Sequence, residues 1–289
     1  MSDEQPTTDP SAPTQAQAEE ALSFGSVADA YDRGRPGYPA EAVSWLVDGE
    51  ALTVLELGAG TGKLTAELVE QGHAVYATEP DERMHELLVE RVPGCSAKVA
   101  GAEEIPANDR SVDVVVAAQA FHWFDHERAL AEMARVLKPG GHVALAWNVF
   151  DRRIPWVRRL ADLIGEHGDS SASHSVLEES DLFDEVERKD FAHWQDVDRE
   201  SLVDIVASRS YVAVLPGHER EAVLDAVRAL YDEYGRGHDG MQLPYRTECF
   251  RAKVVDPDEP APRGEDEASD EQKIVSDGTD THMLLIDFR

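Results

Sequence analysis

Short apolar runs alternate along this chain with longer stretches in which apolar residues recur every three or four positions. The run LTVLEL (52–57) ends in Gly58, and LTAELVEQ (64–71) carries helical spacing, which predicts a strand, a loop and a helix. The pattern repeats. AVYAT (74–78) predicts a second strand, 81–91 a helix, 97–100 a short third strand and VDVVVA (112–117) a buried fourth. ERALAEMARVL (127–137) predicts a helix stopped by Lys138-Pro139-Gly140-Gly141, and HVALAW (142–147) a fifth strand. Such alternation gives a doubly wound parallel sheet, which takes its ligands outside the carboxyl ends of its strands at the point where strand order reverses. Beyond residue 150 the pattern changes: 186–197 is strand-like, 199–207 and 218–234 are helical, and 245–255 is strand-like again. A late pair of strands with helices inserted between them is expected to complete the sheet and cover its active edge.

Composition trims both ends of this picture. Residues 1–22 hold five acids and no base, with Pro, Thr, Gln and Ala filling the rest, and are expected to be disordered. Residues 255–289 carry 11 acids against three bases and read as an acidic tail. Within that tail, KIVSDGTDTHMLLIDFR (273–289) has apolar residues on both sides of an Asp-Gly turn signal, as a hairpin would. The remaining 23–254, expected to form one folded domain, still hold 42 acids against 24 bases.

The 289 residues together carry 58 Asp and Glu against 27 Lys and Arg, a formal charge of -31. Such a field repels phosphate backbones, so nucleic acid is not an expected partner. No window approaches the roughly 18 uncharged apolar residues of a membrane helix, and the N-terminus lacks the basic and apolar regions of a secretory signal. No membrane association and a cytoplasmic location are expected. Cys95 and Cys249 lie far apart and near no His/Cys cluster, so no metal site is expected and each reads as a small buried hydrophobe.

The candidate chemistry starts at Glu56-Leu57-Gly58-Ala59-Gly60-Thr61-Gly62, between the first strand and its helix. Glycines here let a ligand approach backbone whose N–H groups point at it. A dinucleotide fingerprint would need glycine at 63, where Lys stands; a phosphate-binding loop aligned on Gly62-Lys63 would need glycine at Leu57 and Ser or Thr at Leu64. NAD and nucleoside triphosphates are both disfavoured.

These residues resemble the class I S-adenosylmethionine (SAM)-dependent methyltransferases, small-molecule enzymes near the trans-aconitate and UbiE-like groups. The resemblance covers about residues 23–254. It rests on FGSVADAYDRGRPGYP (24–39), LELGAGTGKLT (55–65), ATEPDERM (77–84), GAEEIP (101–106), VDVVVAAQAFHWFD (112–125) and ARVLKPGGHVALAW (134–147), in order. It implies an α/β fold with a doubly wound, Rossmann-like seven-stranded sheet, mostly parallel with an antiparallel late strand, plus a helical insertion over the active edge. It implies SAM as cofactor, with Gly58, Ala59, Gly60 and Gly62 admitting the methionine portion and Glu56 facing the ammonium. Glu79 would accept the two ribose hydroxyls. Ala102 and Glu103 match the adenine-flanking loop, Gln119 follows the fourth strand past the transferable methyl, and Tyr31 on a lid segment would reach the methionine carboxylate. Lys63 reads as a solvent-facing helix residue.

On the acceptor side, His122 is the titratable candidate: either a general base, or a histidine whose hydrogen bonds shape its loop. Trp123 would wall the acceptor or face the sulfonium. Arg35, with Tyr38 beside it, would hold either the methionine carboxylate or an acidic acceptor. Trp194, Arg209 and Tyr211 are lesser pocket candidates for which surface or core readings are favoured. The expected activity is methyl transfer to a small molecule, with a carboxylate as the attractive acceptor; a SAM-binding sensor without transferase activity is the alternative, and the oligomeric state is left open.

Overall fold

The computed structural model describes residues 34–165, 171–209, 212, 214–235 and 240–256. The chain divides after Val255 into two units, and all the elements below belong to the first. The expected disordered N-terminus, the C-terminal hairpin, Tyr31 and Tyr211 lie outside the described residues.

Seven strands form one sheet in the order β3-β2-β1-β4-β5-β7-β6. They are β1 (Thr53–Leu57), β2 (Ala74–Thr78), β3 (Ser96–Lys98), β4 (Val112–Ala118), β5 (Leu137–Phe150), β6 (Glu187–Val197) and β7 (Met241–Lys253). The first five are parallel; β7 runs antiparallel to β5, and β6 antiparallel to β7. The expected doubly wound sheet is therefore present, and its single reversed strand is β7. Strand order turns outward in both directions from β1 and β4, so the carboxyl ends of those two strands flank the crevice.

Among the described residues, α1 (Ala40–Val47), α2 (Lys63–Glu70), α3 (Glu82–Arg91), α4 (His126–Val136), α5 (Pro155–Leu163), α6 (Ser171–Glu178), α7 (Arg199–Ala207) and α8 (Gly217–Tyr234) accompany the sheet. The middle strands read as unbroken apolar runs because both faces are covered. On one face, Val43, Leu46, Leu64 and Leu68 of α1 and α2 meet Val54, Val114, Ala144 and Cys249. On the other, Leu130 and Met133 of α4 meet Val115, Leu145, Trp147 and Phe250. A third cluster joins α5, α7 and α8 to Phe150, Leu243 and Tyr245. Helices α5, α7 and α8 thus pack on the β5–β7 part of the sheet.

Two local features differ from the sequence pattern. Lys138–Gly141 does not end before the fifth strand: β5 already pairs at Leu137 with Val112, bulges, and resumes at His142 opposite Val114. Gly141 suits that bulge, since a Cβ there would stand 2.7 Å from the Asp113 carbonyl oxygen. Helices α1 and α5 arise in stretches for which the sequence pattern gave no element, each immediately after or at a proline, Pro39 at the N-cap of one and Pro155 at N1 of the other.

Candidate active site

Three strand ends and the segment before α1 converge on one cleft. β1 supplies Glu56 and the Gly58–Thr61 turn, β4 supplies Ala118 and Gln119, β5 supplies Asn148, and the segment before α1 contributes Arg35, Pro36 and Tyr38. With Lys63 and Leu64 from the first turn of α2, these residues line a cleft of about 440 Å³, a volume that includes its open, solvent-filled mouth. Glu79, just past the end of β2, adjoins this wall through the Gly60 amide.

The turn geometry follows from its glycines. Gly58 and Gly60 have φ of +66° and +58°, a region that costs L-residues with side chains. A Cβ at Gly58 would stand 2.6 Å from the Ala120 Cβ, whereas at Gly60 only the Met84 Sδ comes as near as 4.0 Å. The backbone at Gly60 is therefore open on the side a ligand would use. Gly62 has another task. At φ +89° it begins α2, and a Cβ there would come within 2.6 Å of Leu88 Cδ1, so it sets the close approach of α2 to α3 and does not line the cleft.

Two carboxylates set the electrostatics. Glu56 is 2% exposed and accepts a 2.6 Å hydrogen bond from the Thr65 hydroxyl. Burial pushes its carboxyl up to about 8, the Thr65 bond opposes that, and the Glu79 charge adds to it. Glu79 is 6% exposed; Oε2 accepts from the Gly60 amide at 2.7 Å and Oε1 from the Asp81 amide at 3.0 Å. Burial raises its carboxyl as well, against the two amide bonds. Burial disfavours the ionised form of both carboxylates, and a cationic ligand favours it; an ammonium with a nearby sulfonium is such a ligand. The donor set fits SAM.

Gln119 takes φ +58°, unusual for a residue with a side chain, and its amide Nε2 donates to the Asn148 carbonyl at 3.0 Å. The 3-10 turn Phe121–Trp123 follows, with Phe121 buried and stacked on His126 at 4.7 Å. His122 is exposed by surface area, while the density of protein around it, with the charges of Arg35 and His126, brings its imidazole down to about 4. The influence of Arg35 places these two acceptor-side candidates near each other. Trp123 is half-buried beside His122, with ring centroids 4.7 Å apart, and packs against the core instead of lining the cleft.

The structure thus brings Arg35, Tyr38, Glu56, Gly58, Ala59, Gly60 and Gln119 together around one cleft, with Glu79 bonded to its wall. Ala102 lies in the core, and Glu103 accepts from the Asp125 amide at 3.0 Å where the chain enters α4; neither lines the cleft. Arg209 is buried with its guanidinium 4.6 Å from the Phe150 ring centroid, and Trp194 is 61% exposed on the edge strand β6. Lys63, read from the sequence as solvent-facing, is half-buried and lines the cleft. Sequence reasoning passed over two more residues: Thr65 bonds Glu56, and Asn148 forms a wall of the same space. The spacing of Thr65, nine residues after Glu56 and in the first turn of α2, was the available signal.

Comparison with known proteins agrees with this geometry. A methyltransferase-domain family profile matches residues 55–145. An uncharacterized methyltransferase of Mycobacterium tuberculosis is 45% identical over 237 residues, covering 81% of this chain and 97% of the relative. The chain belongs to the class I SAM-dependent methyltransferases. The methyltransferase also shares 31% identity over 240 residues with a methyltransferase-like protein of Schizosaccharomyces pombe, covering 78% of this chain and 93% of that one. Among solved structures, a protein described as a type II methyltransferase of Anaeromyxobacter dehalogenans superposes with TM-score 0.56 at 24% identity, over 76% of this chain and 97% of its own. Phosphoethanolamine N-methyltransferase 2 of Haemonchus contortus, in complex with phosphomonomethylethanolamine and S-adenosylhomocysteine, superposes with TM-score 0.51 at 13% identity, over 87% of this chain and 62% of its own. Those two likenesses show the shared fold. Membership of this family implies SAM as the cofactor. Among the described residues no helix is long and apolar enough to cross a membrane.

Proposed function

We propose that residues 23–254 form a transferase domain that methylates a small-molecule carboxylate at the mouth of this cleft. Glu56, Gly58, Ala59, Gly60 and Glu79 hold the cofactor, with Gln119 beside its methyl end. When bound, SAM supplies a methyl group already activated on a sulfonium, so the protein's work is alignment and exclusion of water. Glu56 faces the ammonium, and Glu79 keeps the Gly60 turn in place while offering its remaining lone pairs to a diol.

The observation that supports a carboxylate acceptor is the Arg35 guanidinium on the cleft wall, whose charge also helps hold His122, outside that lining, down at about 4. At that value His122 is neutral throughout the physiological range and is a weak base, poorly matched to removing a proton from a phenol or an amine. A carboxylate nucleophile needs no proton removed, and the Arg35 guanidinium can hold one in a bidentate fork. Arg35 and Lys63 both border a cleft in an otherwise strongly acidic chain.

The test is a screen of carboxylic acids, phenols and amines with methyl-labelled SAM, followed by kinetics on the best acceptor. His122→Asn should keep most of kcat, and Arg35→Lys should raise the acceptor KM while leaving kcat within a few-fold. With cofactor saturating, kcat should stay flat from about pH 5 to 8, since a base at about 4 has no titration there. A kcat loss of about 10²–10⁴-fold in His122→Asn, with KM unchanged in Arg35→Lys, would replace the carboxylate by an acceptor that needs a base.

A further inference from the structure

We propose that Asn148 is a positioning residue that latches the 34–39 segment across the cleft, its amide held in one orientation by a directed chain of hydrogen bonds from Thr247 and His193. The proposal rests on the reading of this cleft as the cofactor site. Asn148 lies near the end of β5, is 4% exposed and lines the cleft. Its Nδ2 donates to the Gly37 carbonyl at 3.0 Å, its Oδ1 accepts from the Thr247 hydroxyl at 2.6 Å, and its own carbonyl accepts from Gln119 at 3.0 Å. One residue therefore touches the segment that crosses the cleft, the turn after β4, and the reversed strand β7.

The direction of every bond in this chain is determined. The Gly37 carbonyl can only accept, so the Asn148 amide nitrogen must face it and Oδ1 must face Thr247. Thr247 is fully buried and has one hydroxyl proton, which goes to Oδ1. The His193 Nδ1, 3.3 Å from the same hydroxyl oxygen, is then the donor to it. That assigns the Nδ1–H tautomer of neutral His193. Burial lowers the His193 pKa, in the same direction, and its Nε2 is enclosed with no hydrogen-bond partner, so a second ring proton there would be unsatisfied. The ring is also stacked on Tyr245 at 5.3 Å between centroids. The wiring runs from the β6 edge strand, through β7, to the segment over the cofactor.

What the latch holds is specific. At Gly34 the segment packs on α7, where a Cβ would stand 2.8 Å from the Asp204 carbonyl oxygen; at Pro39 it passes into α1. Between those anchors lie Arg35, Pro36 and Tyr38, all three in the cleft lining. Gly37 is exposed, and the Asn148 bond ties its backbone to the sheet, beside Tyr38, which packs on the core between the sheet and α1.

Asn148→Asp keeps an acceptor for Thr247 and sets a carboxylate oxygen against the Gly37 carbonyl; Asn148→Ala removes both bonds; Thr247→Val leaves the amide without its orienting donor. SAM dissociation constants by calorimetry and amide hydrogen exchange are measured on the full chain. Asn148→Asp should weaken SAM binding about tenfold and speed exchange at Arg35, Gly37 and Tyr38, while Val54–Leu57 in β1 keep wild-type protection. Thr247→Val should act in the same direction but less, and the Asn148→Ala, Thr247→Val double variant should be no worse than Asn148→Ala alone. The latch is overturned if both Asn148 variants keep SAM affinity and segment exchange within about twofold of wild type, or if exchange rises equally in β1, as for a merely structural residue. Should the wild-type protein itself not bind SAM, the cofactor reading falls, and the exchange of the segment in Asn148→Asp still decides the latch.

Discussion

Glu56 and Glu79 lie close together and predict different behaviour. Because the carboxyl of Glu56 is pushed up to about 8 from an ordinary value of 4.5, the native state holds that proton more tightly than the unfolded chain does. Its contribution to stability is therefore fully present below about pH 4.5 and is lost as pH rises through 8. Binding of an ammonium favours the ionised form, so SAM affinity should strengthen between about pH 6 and 8 and binding should release close to one proton at about pH 7. Calorimetry in two buffers of different ionisation enthalpy measures that release; Glu56→Gln should abolish it and flatten the affinity profile. Glu79→Ala should weaken SAM binding by about 1–3 kcal/mol and also lower the melting temperature without ligand, because the Gly60 and Asp81 amides lose their acceptor. The sequence suggested a diol acceptor here, and the two amide bonds give the carboxylate a structural role as well. The glycines and Glu56 were legible because a strand-turn-helix ligand loop leaves them at fixed short spacings, and Glu79 because it stands directly after the next strand. Asn148 was not, since its partners Thr247 and Gly37 lie 99 and 111 residues away and a lone Asn in an apolar strand carries no local pattern.

Elements owe their places to a few long side chains as well as to the apolar core. Arg251 of β7 stacks its guanidinium 4.5 Å from the Trp45 ring centroid, donates to the Trp45 carbonyl at 2.9 Å in the last turn of α1, and pairs with Asp48 and Glu187 at 2.9 Å each. It thereby satisfies an orphan carbonyl at a helix end and ties α1 to β6 and β7. Arg251→Met should lower stability by about 1–3 kcal/mol, seen in denaturant or thermal melts, with SAM affinity in the folded protein nearly unchanged. The strands were legible as apolar runs and most helices by their 3.6-residue period, punctuated by Gly and Pro, all local properties. Helices α1 and α5 went unread although they are no shorter than α2 and α7; each starts at or just after a proline, which punctuates the chain without announcing a helix. The bulge at Lys138–Gly141 escaped for a related reason: proline and glycines mark a departure from regular chain without saying whether the strand resumes on the same partner.

At the scale of the molecule, the charge of -31 repels itself across the whole surface. Screening shortens from a Debye length of about 10 Å at 0.1 M salt to about 3 Å at 1 M, so the melting temperature should rise over that range despite the weakening of surface ion pairs. Removing 257–289, whose charged residues are mostly acidic, should reduce that salt dependence while leaving SAM affinity unchanged; a loss of affinity would overturn the reading of 23–254 as the whole binding unit. The pattern of apolar runs predicted how many strands to expect but not which would be neighbours, because pairing between distant strands leaves no trace in either segment alone. That neighbour order bears on how the chain is made. β7 is the last described strand to leave the ribosome, yet it lies between β5 and β6. Until it arrives, β6 has no partner in the sheet and the outer flank of β5 is bare, an edge that invites association with other nascent chains. Late closure also means high contact order and slow final assembly. The Thr247 side chain arrives with that same strand, so the wall of the cleft at Asn148 is finished only at the end of synthesis, and a truncated product has neither a closed sheet nor a completed site.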